Sequence, residues 1–282
     1  MQATPLRSGT AVITGAARGI GAGIARAAAA RGMTLMLADI DADGLERMQA
    51  ELSGRGAQVA CTPTDVCDPE ALDRLAETTQ ARFGPVRLLV NNAGVEMLGN
   101  SWELSAAQWE LAIRLNVLGP IQGVRAFAPR MIAAGQPARI VNIASIAAMA
   151  QFPMQTAYIV SKHAVLSFSE CLYLEMQRSA PFVGVSAVLP GPVATRIFAD
   201  APAAAKGRST EHHRAAMAHV VAGGMHPDEA GRTILDQAEE GRFWIATHPD
   251  MLADAAKARA SYLSALADPA LKPGAEAALG EA

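Results

Sequence analysis

The sequence predicts an α/β fold: a doubly wound parallel sheet of seven strands flanked by helices on both faces. Three observations predict it. Short apolar runs alternate with longer segments of helical period along most of the chain, the pattern of βαβ units. The first such run passes directly into a glycine-rich turn and then a helix, and no repeat or charged linker breaks the series. Strands are expected at 11–14, 34–38, 58–62, 88–91, 139–144, 183–189 and 243–246. Helices are expected at 20–31, 43–52, 69–83, 106–134, 157–177 and 227–239, with Gly32 and Gly84 as stops. Two segments fall outside the alternation. An Ala-, His- and Gly-rich stretch at about 196–225 reads as a substrate lid, and the Ala-rich end at about 248–282 as a C-terminal extension with a helix and a loose tail.

A chain of 282 residues with 51% hydrophobic content can bury one large core, so a single domain over 1–282 is expected. A net charge of -3 and the absence of any Lys/Arg-crowded window argue against nucleic acid as a partner. Cys61, Cys67 and Cys171 have the spacing of neither a disulfide framework nor a zinc site, which fits a reducing, cytoplasmic setting. The start MQATPLRSGTAVITG has no signal-peptide pattern, and the most apolar stretches are cut by Gly, Arg or Pro, so no membrane association is expected.

The expected first strand leads into Thr14-Gly15-Ala16-Ala17-Arg18-Gly19-Ile20-Gly21. Gly15, Gly19 and Gly21 let backbone approach a pyrophosphate closely, while the start of the helix at Ile20 supplies free N–H groups and a favourable dipole. Taken alone the cluster is an ordinary strand-to-helix turn. Asp39, closing the second expected strand in LMLADID, gives it Rossmann-type context, because a carboxylate there accepts from both adenosine ribose hydroxyls. A 2′-phosphate would meet like charge beside Asp39, so NAD(H) is favoured. Arg18 could reach such a phosphate and keeps NADP(H) open. The plain alternative for Asp39 is a cap for the next helix.

Tyr158 and Lys162, at i and i+4, share one face of an expected helix. A nearby ammonium makes a phenol a stronger acid, so the pair suits proton transfer. A Tyr and a Lys one turn apart are nonetheless common on solvated helices, and only their company gives them meaning.

That company resembles the short-chain dehydrogenase/reductases in their compact single-domain form. The motifs stand in order: the glycine turn, Asp65-Val66, Asn91-Asn92-Ala93-Gly94, Asn116, Ser145, Tyr158 with Lys162, and Pro190-Gly191. The resemblance implies an oxidoreductase that moves a hydride between a nicotinamide and a secondary alcohol or ketone carbon. Ser145 would hydrogen-bond the substrate oxygen, and Tyr158 would be its general acid or base. Lys162 would bind the nicotinamide ribose and hold down the phenol's pKa, and Asn116 would interrupt its helix and position a water beside Lys162. Asp65 and Val66 would meet the adenine; Asn91, Ala93 and Gly94 would let the fourth strand lie close to the cofactor. Pro190, Gly191, Val193 and Thr195 would form the segment that holds the carboxamide.

Position in the chain makes Glu96, Met97, Ile146, Gln151, Phe152, Met154, Ile197 and Phe198 candidates for the substrate pocket. Most are apolar, which points to a bulky apolar or aromatic alcohol or ketone. His212 and His213 read as exposed, and no metal is expected. Apolar residues beyond one face of the 157–177 helix, among them Val165, Leu166, Phe168, Leu172 and Leu174, point to a homo-oligomer, and the resemblance implies a homodimer or homotetramer built on this helix and its neighbour. The extension is expected to fold over the pocket of the same or a neighbouring subunit. A dinucleotide-binding sensor without catalysis would need the glycine turn but not Ser145, Tyr158 and Lys162 together. An isomerase or dehydratase on this fold would need a longer substrate region.

Overall fold

The computed structural model describes residues 4–204, 208–271 and 275–279. Parts of the expected lid and extension, at 205–207, 272–274 and 280–282, lie outside the described residues. The strands are β1 (Thr10–Thr14), β2 (Thr34–Asp39), β3 (Val59–Pro63), β4 (Val86–Asn91), β5 (Ala138–Ile143), β6 (Val183–Leu189) and β7 (Trp244–Ala246). They form one seven-stranded sheet in the order β3-β2-β1-β4-β5-β6-β7, with every pairing parallel. After β1 the chain winds outward to β2 and β3, then returns to place β4 on the other side of β1. This reversal opens a crevice at the carboxyl ends of β1 and β4, where α/β sheets of this topology receive ligands.

Alternation within the strands sorts the core into two layers. Ala11, Ile13, Leu35 and Leu37 face α1 (Gly19–Ala30), α2 (Ala42–Gly54) and α8 (Pro227–Glu239), packing with Ile24, Leu45, Leu52 and Ile234. Val12, Met36 and Leu89 face the opposite way. They pack with Leu72 and Leu75 of α3 (Pro69–Phe83), Phe127 and Met131 of α5 (Gly119–Ala133), and Leu172 of α6 (Thr156–Ser179).

Three departures from the sequence expectation bear on the site. The 106–134 segment is not one helix. Its first part, α4 (Ala106–Ile113), opens on a Ser105/Gln108 capping box and runs into a π-helical turn at Arg114–Leu118 before α5 begins. Asn116 sits in that widened turn, as the resemblance implied. The lid contains a regular helix, α7 (Arg208–Ala222), and the extension contains α9 (Pro249–Ser264) and a 3-10 turn at Ala275–Ala278. Lastly, Val165, Leu166 and Leu172 are buried within their own chain and Phe168 packs against the same core, so they leave little apolar excess on α6; Leu174 is 64% exposed. None of the described helices is long and apolar enough to cross a membrane.

A buried polar chain ties β4 and β5 to α6. Asn91 Nδ2 donates to Asn142 Oδ1 at 2.9 Å, Asn142 Nδ2 donates to Ser169 Oγ at 3.0 Å, and Ser169 Oγ donates to the Val165 carbonyl at 2.7 Å. The Asn91 side chain is therefore committed to the core, which leaves its backbone at the end of β4 to face the crevice. Cutting the chain in the middle strands two buried amide or hydroxyl groups, each costing about 1–3 kcal/mol. Asn142→Ala is expected to destabilise the fold by at least about 2 kcal/mol, seen as a lower urea midpoint with an unchanged slope.

Candidate active site

The turn after β1 is clamped by the strand beside it. Asn92 Nδ2 donates to the carbonyls of Thr14 at 2.9 Å and Gly15 at 3.0 Å. In return Thr14 Oγ1 accepts from Asn92 N at 3.0 Å and Ala93 N at 3.2 Å. Gly15 has φ 63°, and a Cβ on Gly21 would lie 2.1 Å from the Gly15 carbonyl oxygen, so α1 starts in direct contact with the turn. No side chain caps α1 at Arg18, which leaves its first N–H groups free to receive an anion. This is a cradle of the kind a dinucleotide pyrophosphate requires. Asn92, overlooked in favour of Asn91, was within the quoted motif; strand alternation, which sends neighbouring side chains to opposite faces, was the signal that could have picked it out.

Asp39 belongs to the same cradle. Its Oδ2 accepts from Ala17 N at 3.0 Å and its Oδ1 from Asp41 N at 3.0 Å, while the cap of α2 is Asp41, which accepts from Gly44 N at 2.9 Å. The capping role falls to Asp41 and the Asp39 carboxylate is turned toward the glycine turn. Arg18 Nη1 reaches Asp200 Oδ2 at 3.2 Å, and Arg196 also grips Asp200, holding its carboxyl below the usual range. Thr195 is close to Gly19, where a Cβ would lie 3.2 Å from its methyl carbon. Val66 is buried under Gly119, while Asp65 is exposed and accepts from Cys67 N at 2.8 Å. The 190–195 segment is held by Ile146 N donating to the Pro190 carbonyl at 3.0 Å, by Gly191 N donating to Thr247 Oγ1 at 3.1 Å, and by a bridge between Val193 and Met225.

Four side chains gather at the carboxyl ends of β4 and β5. Ser145 follows β5 and accepts from Ala147 N at 3.1 Å, capping a short 3-10 turn, Ile146–Met149. Tyr158 and Lys162 come from the first turns of α6; Lys162 Nζ donates to the Ile143 carbonyl at 2.9 Å and lies 5.4 Å from the Tyr158 ring centre. Asn116 Oδ1 accepts from Val95 N at 2.8 Å, and its Nδ2 donates to the Val95 carbonyl at 2.8 Å and to Ser161 Oγ at 3.0 Å. Gly94 fits between Asn116 and Lys162, a Cβ there lying 3.3 Å from Asn116 Oδ1 and 3.5 Å from Lys162 Nζ. Burial brings Lys162 down to about 8 against the opposing pull of Glu96. Burial and the Glu96 charge push the Tyr158 phenol up, and the Ser145 hydroxyl draws it partly back. The expected lowering of the phenol by Lys162 is not seen; desolvation penalises phenolate more than the Ser145 hydroxyl compensates.

The pocket candidates divide. Glu96 and Met97 are both 0% exposed, Met97 among Leu104, Ala112 and Ala157, so neither lines an open surface. Phe198 is buried with Leu98, Ala201 and Val221, and Ile197 packs on that cluster. Met154 is buried with φ 65°. Ile146 and Phe152 are half-buried and Gln151 is exposed.

His213 departs most from expectation. It is fully buried, stacked on Phe152 with ring centres 5.5 Å apart. Its Nδ1 donates to the Ala278 carbonyl at 2.7 Å and its Nε2 accepts from Gln155 Nε2 at 3.0 Å, an arrangement that fits the neutral ring. Only His212 is exposed, and it bonds the Ala277 carbonyl at 2.9 Å. No three His, Cys, Asp or Glu side chains converge as a metal site among the described residues. The extension thus rests on its own subunit. Its 3-10 turn docks on α7, and Leu252 of α9 packs with Met149 and Ala148, so both parts touch the stretch between Ser145 and Tyr158 or the helix covering it.

Burial lowers the His213 pKa from 6.5, with the Ala278 bond opposing and His212 assisting. An unfolded chain then binds the proton more readily, so stability from this contact is present above pH 6.5 and lost as pH falls through the depressed value. Hydrogen-exchange protection in α7 and 275–279, corrected for the intrinsic pH dependence of exchange, is expected to fall on acidification below 6.5, and a His213→Asn variant is expected to lose that dependence.

A doubly wound sheet, an anion-receiving glycine turn and a Ser-Tyr-Lys-Asn group at its switch point define a dinucleotide-binding oxidoreductase scaffold. The family model for short chain dehydrogenases matches residues 9–206, and the chain belongs to that family of oxidoreductases. A CLA biosynthesis dehydrogenase/reductase of Lactiplantibacillus plantarum is 30% identical over 84% of this chain and 87% of the relative. A 1-deoxy-11-beta-hydroxypentalenate dehydrogenase of Streptomyces exfoliatus is 36% identical over 67% of this chain and 69% of its own length. A short chain dehydrogenase/reductase from Burkholderia phymatum, solved in complex with NAD, superimposes with TM-score 0.90 at 35% identity, covering 95% of this chain and 98% of that one.

Proposed function

We propose that the chain is an NAD(H)-dependent oxidoreductase, one dinucleotide-binding and catalytic domain, that interconverts a bulky apolar or aromatic secondary alcohol and its ketone. The observation that carries this reading is the gathering of Ser145, Tyr158, Lys162 and Asn116 at the carboxyl ends of β4 and β5, beside the glycine cradle. The bound nicotinamide dinucleotide supplies or takes up the hydride. Ser145 donates a hydrogen bond to the substrate oxygen. Tyr158 gives that oxygen its proton in reduction and removes it in oxidation, while Lys162 holds the ribose hydroxyls and replaces the proton. Asn116 keeps the 94–96 backbone fixed and can hold a water beside Lys162. The relatives' names, a hydroxypentalenate dehydrogenase among them, support an alcohol-bearing substrate.

Gly15, Gly19, Ile20, Gly21 and Arg18 would receive the pyrophosphate, Asp65 and Val66 the adenine, and Ala93, Gly94, Pro190, Gly191, Val193 and Thr195 the nicotinamide half. Asp39 would take the adenosine ribose hydroxyls. NAD(H) is the better fit because a 2′-phosphate would meet like charge at Asp39. An NADP(H)-preferring carbonyl reductase is the second reading, favoured if Arg18, once drawn from Asp200, pairs with a 2′-phosphate. Exposed Val160 and Leu174 on α6 and Leu118 and Ile132 before and on α5 support a homodimer or homotetramer built on these helices, working in the cytoplasm.

Following reduced nicotinamide by absorbance across a panel of secondary alcohols tests the reading. Tyr158→Phe is expected to lower kcat/KM by about 10²-fold or more; a variant as fast as the parent would remove Tyr158 from the mechanism. Asp39→Ala is expected to raise the NADP-to-NAD ratio of kcat/KM by about tenfold or more, the scale of one lost charge-assisted contact. An unchanged ratio refutes the ribose contact.

A further inference from the structure

Two buried side-chain atoms among the described residues lack a hydrogen-bond partner: Arg139 Nε, at the far end of β5 from Ser145, and Glu96 Oε2. Glu96 stands two residues beyond Gly94, next to Val95, whose N–H and carbonyl are both held by Asn116. It is 0% exposed and cannot swing out while that clamp holds. One oxygen, Oε1, accepts from Met97 N at 2.9 Å; the other meets nothing. The next residue, Met97, lies in one apolar cluster with Leu104, Ala112 and Ala157, and Ala157 directly precedes Tyr158.

We propose that Glu96 is a positioning residue for the Tyr158–Lys162 pair: as a neutral acid it leaves the lysine charge to the phenol, and as a carboxylate it draws that charge to itself. An ionised carboxylate needs hydrogen-bond donors at both oxygens, and here one is bare, so the neutral form suits the site. The titratable groups that face it are Lys162 and Tyr158, both on α6. The π turn offers only the uncharged Asn116 amide, and its own segment the Met97 N–H. Burial lifts the Glu96 carboxyl well above the usual range, against the pull of Met97 N and Lys162. Once ionised, it pushes both Tyr158 and Lys162 upward. Alcohol oxidation needs the phenol deprotonated, so ionisation of Glu96 acts as a brake at alkaline pH.

The inference rests on the roles proposed for Tyr158 and Lys162, and its test carries a readout that does not need turnover. Infrared difference spectra, parent minus Glu96→Gln, are expected to show the C=O stretch of a protonated carboxyl at neutral pH that fades as pH rises. The ratio of kcat/KM for alcohol oxidation, variant over parent, is expected to climb with pH by about tenfold, the equivalent of one pKa unit on the phenol, with no matching change in KM. Glu96→Met, an apolar side chain of similar length in an apolar setting, is expected to follow Glu96→Gln and serves if the amide does not fold. Absence of the protonated band at neutral pH, or a ratio flat across the pH range, overturns the proposal. A fully active Tyr158→Phe enzyme removes the reading beneath it, and the infrared band would still report the state of Glu96 by itself.

Discussion

The site depends on one clamp, the hydrogen bonds between the end of β1 and the residues just after β4. Thr14 and Gly15 give the Asn92 amide their carbonyl oxygens, and Thr14 Oγ1 accepts from the backbone N–H groups of Asn92 and Ala93. β1 and β4 are the strands at which the sheet order reverses, so the clamp spans the crevice where no crossover helix covers the strand ends. It fixes the glycine turn on one side and the 93–97 segment on the other. Without it the anion cradle and the proton-transfer group would have no common frame, since they belong to different halves of the sheet.

From this frame the geometry passes to the second half through Asn116. A regular helix through 106–134 would satisfy its own backbone and point the Asn116 amide along the helix surface. The π-helical turn widens the helix at that residue, and the amide replaces a strand partner for Val95. Its bond to Ser161 then joins the same turn to α6 between Tyr158 and Lys162. One irregular turn thereby sets the distance between the cofactor-facing loop and the proton-transfer pair. Glu96 is a consequence of that fixation, held in an apolar setting because its neighbours on both sides are pinned.

The parallel sheet and its order of elements were legible because each carries a local signal, whereas Ser145, Asn116, Tyr158 and Lys162 took their meaning from a family resemblance. Period-two apolar runs, glycine at a strand-to-helix junction and Asp39 at the end of β2 all follow from geometry within a few residues. What could not be read depends on contacts between distant segments. The choice of Asn92 over Asn91 turns on which face each side chain takes against β1 and β5. His213 looked solvated beside His212, yet 65 residues later the chain returns with Ala278 to bury it against Phe152. Met97 and Phe198 were placed in the pocket by their position after a strand, whereas the lid segment and α4 cover them. Of the α6 residues read as facing a partner chain, Val165, Leu166 and Leu172 are buried in their own chain and Leu174 is exposed, because the sequence does not say how much of that helix its own chain covers.

The coverings over the two halves of the crevice are held in different ways, and this bears on how it opens. Over the glycine turn the lid is tied by the exposed Arg18–Asp200–Arg196 group, a charge contact that salt screens and that a bound anion can displace. Over the segment leading to Tyr158 the tie is the buried His213, stacked and bonded to the tail, which salt hardly reaches. A ligand's phosphates in the cradle would compete with Asp200 for Arg18, whereas nothing charged on a ligand competes with the stacked, buried ring of His213.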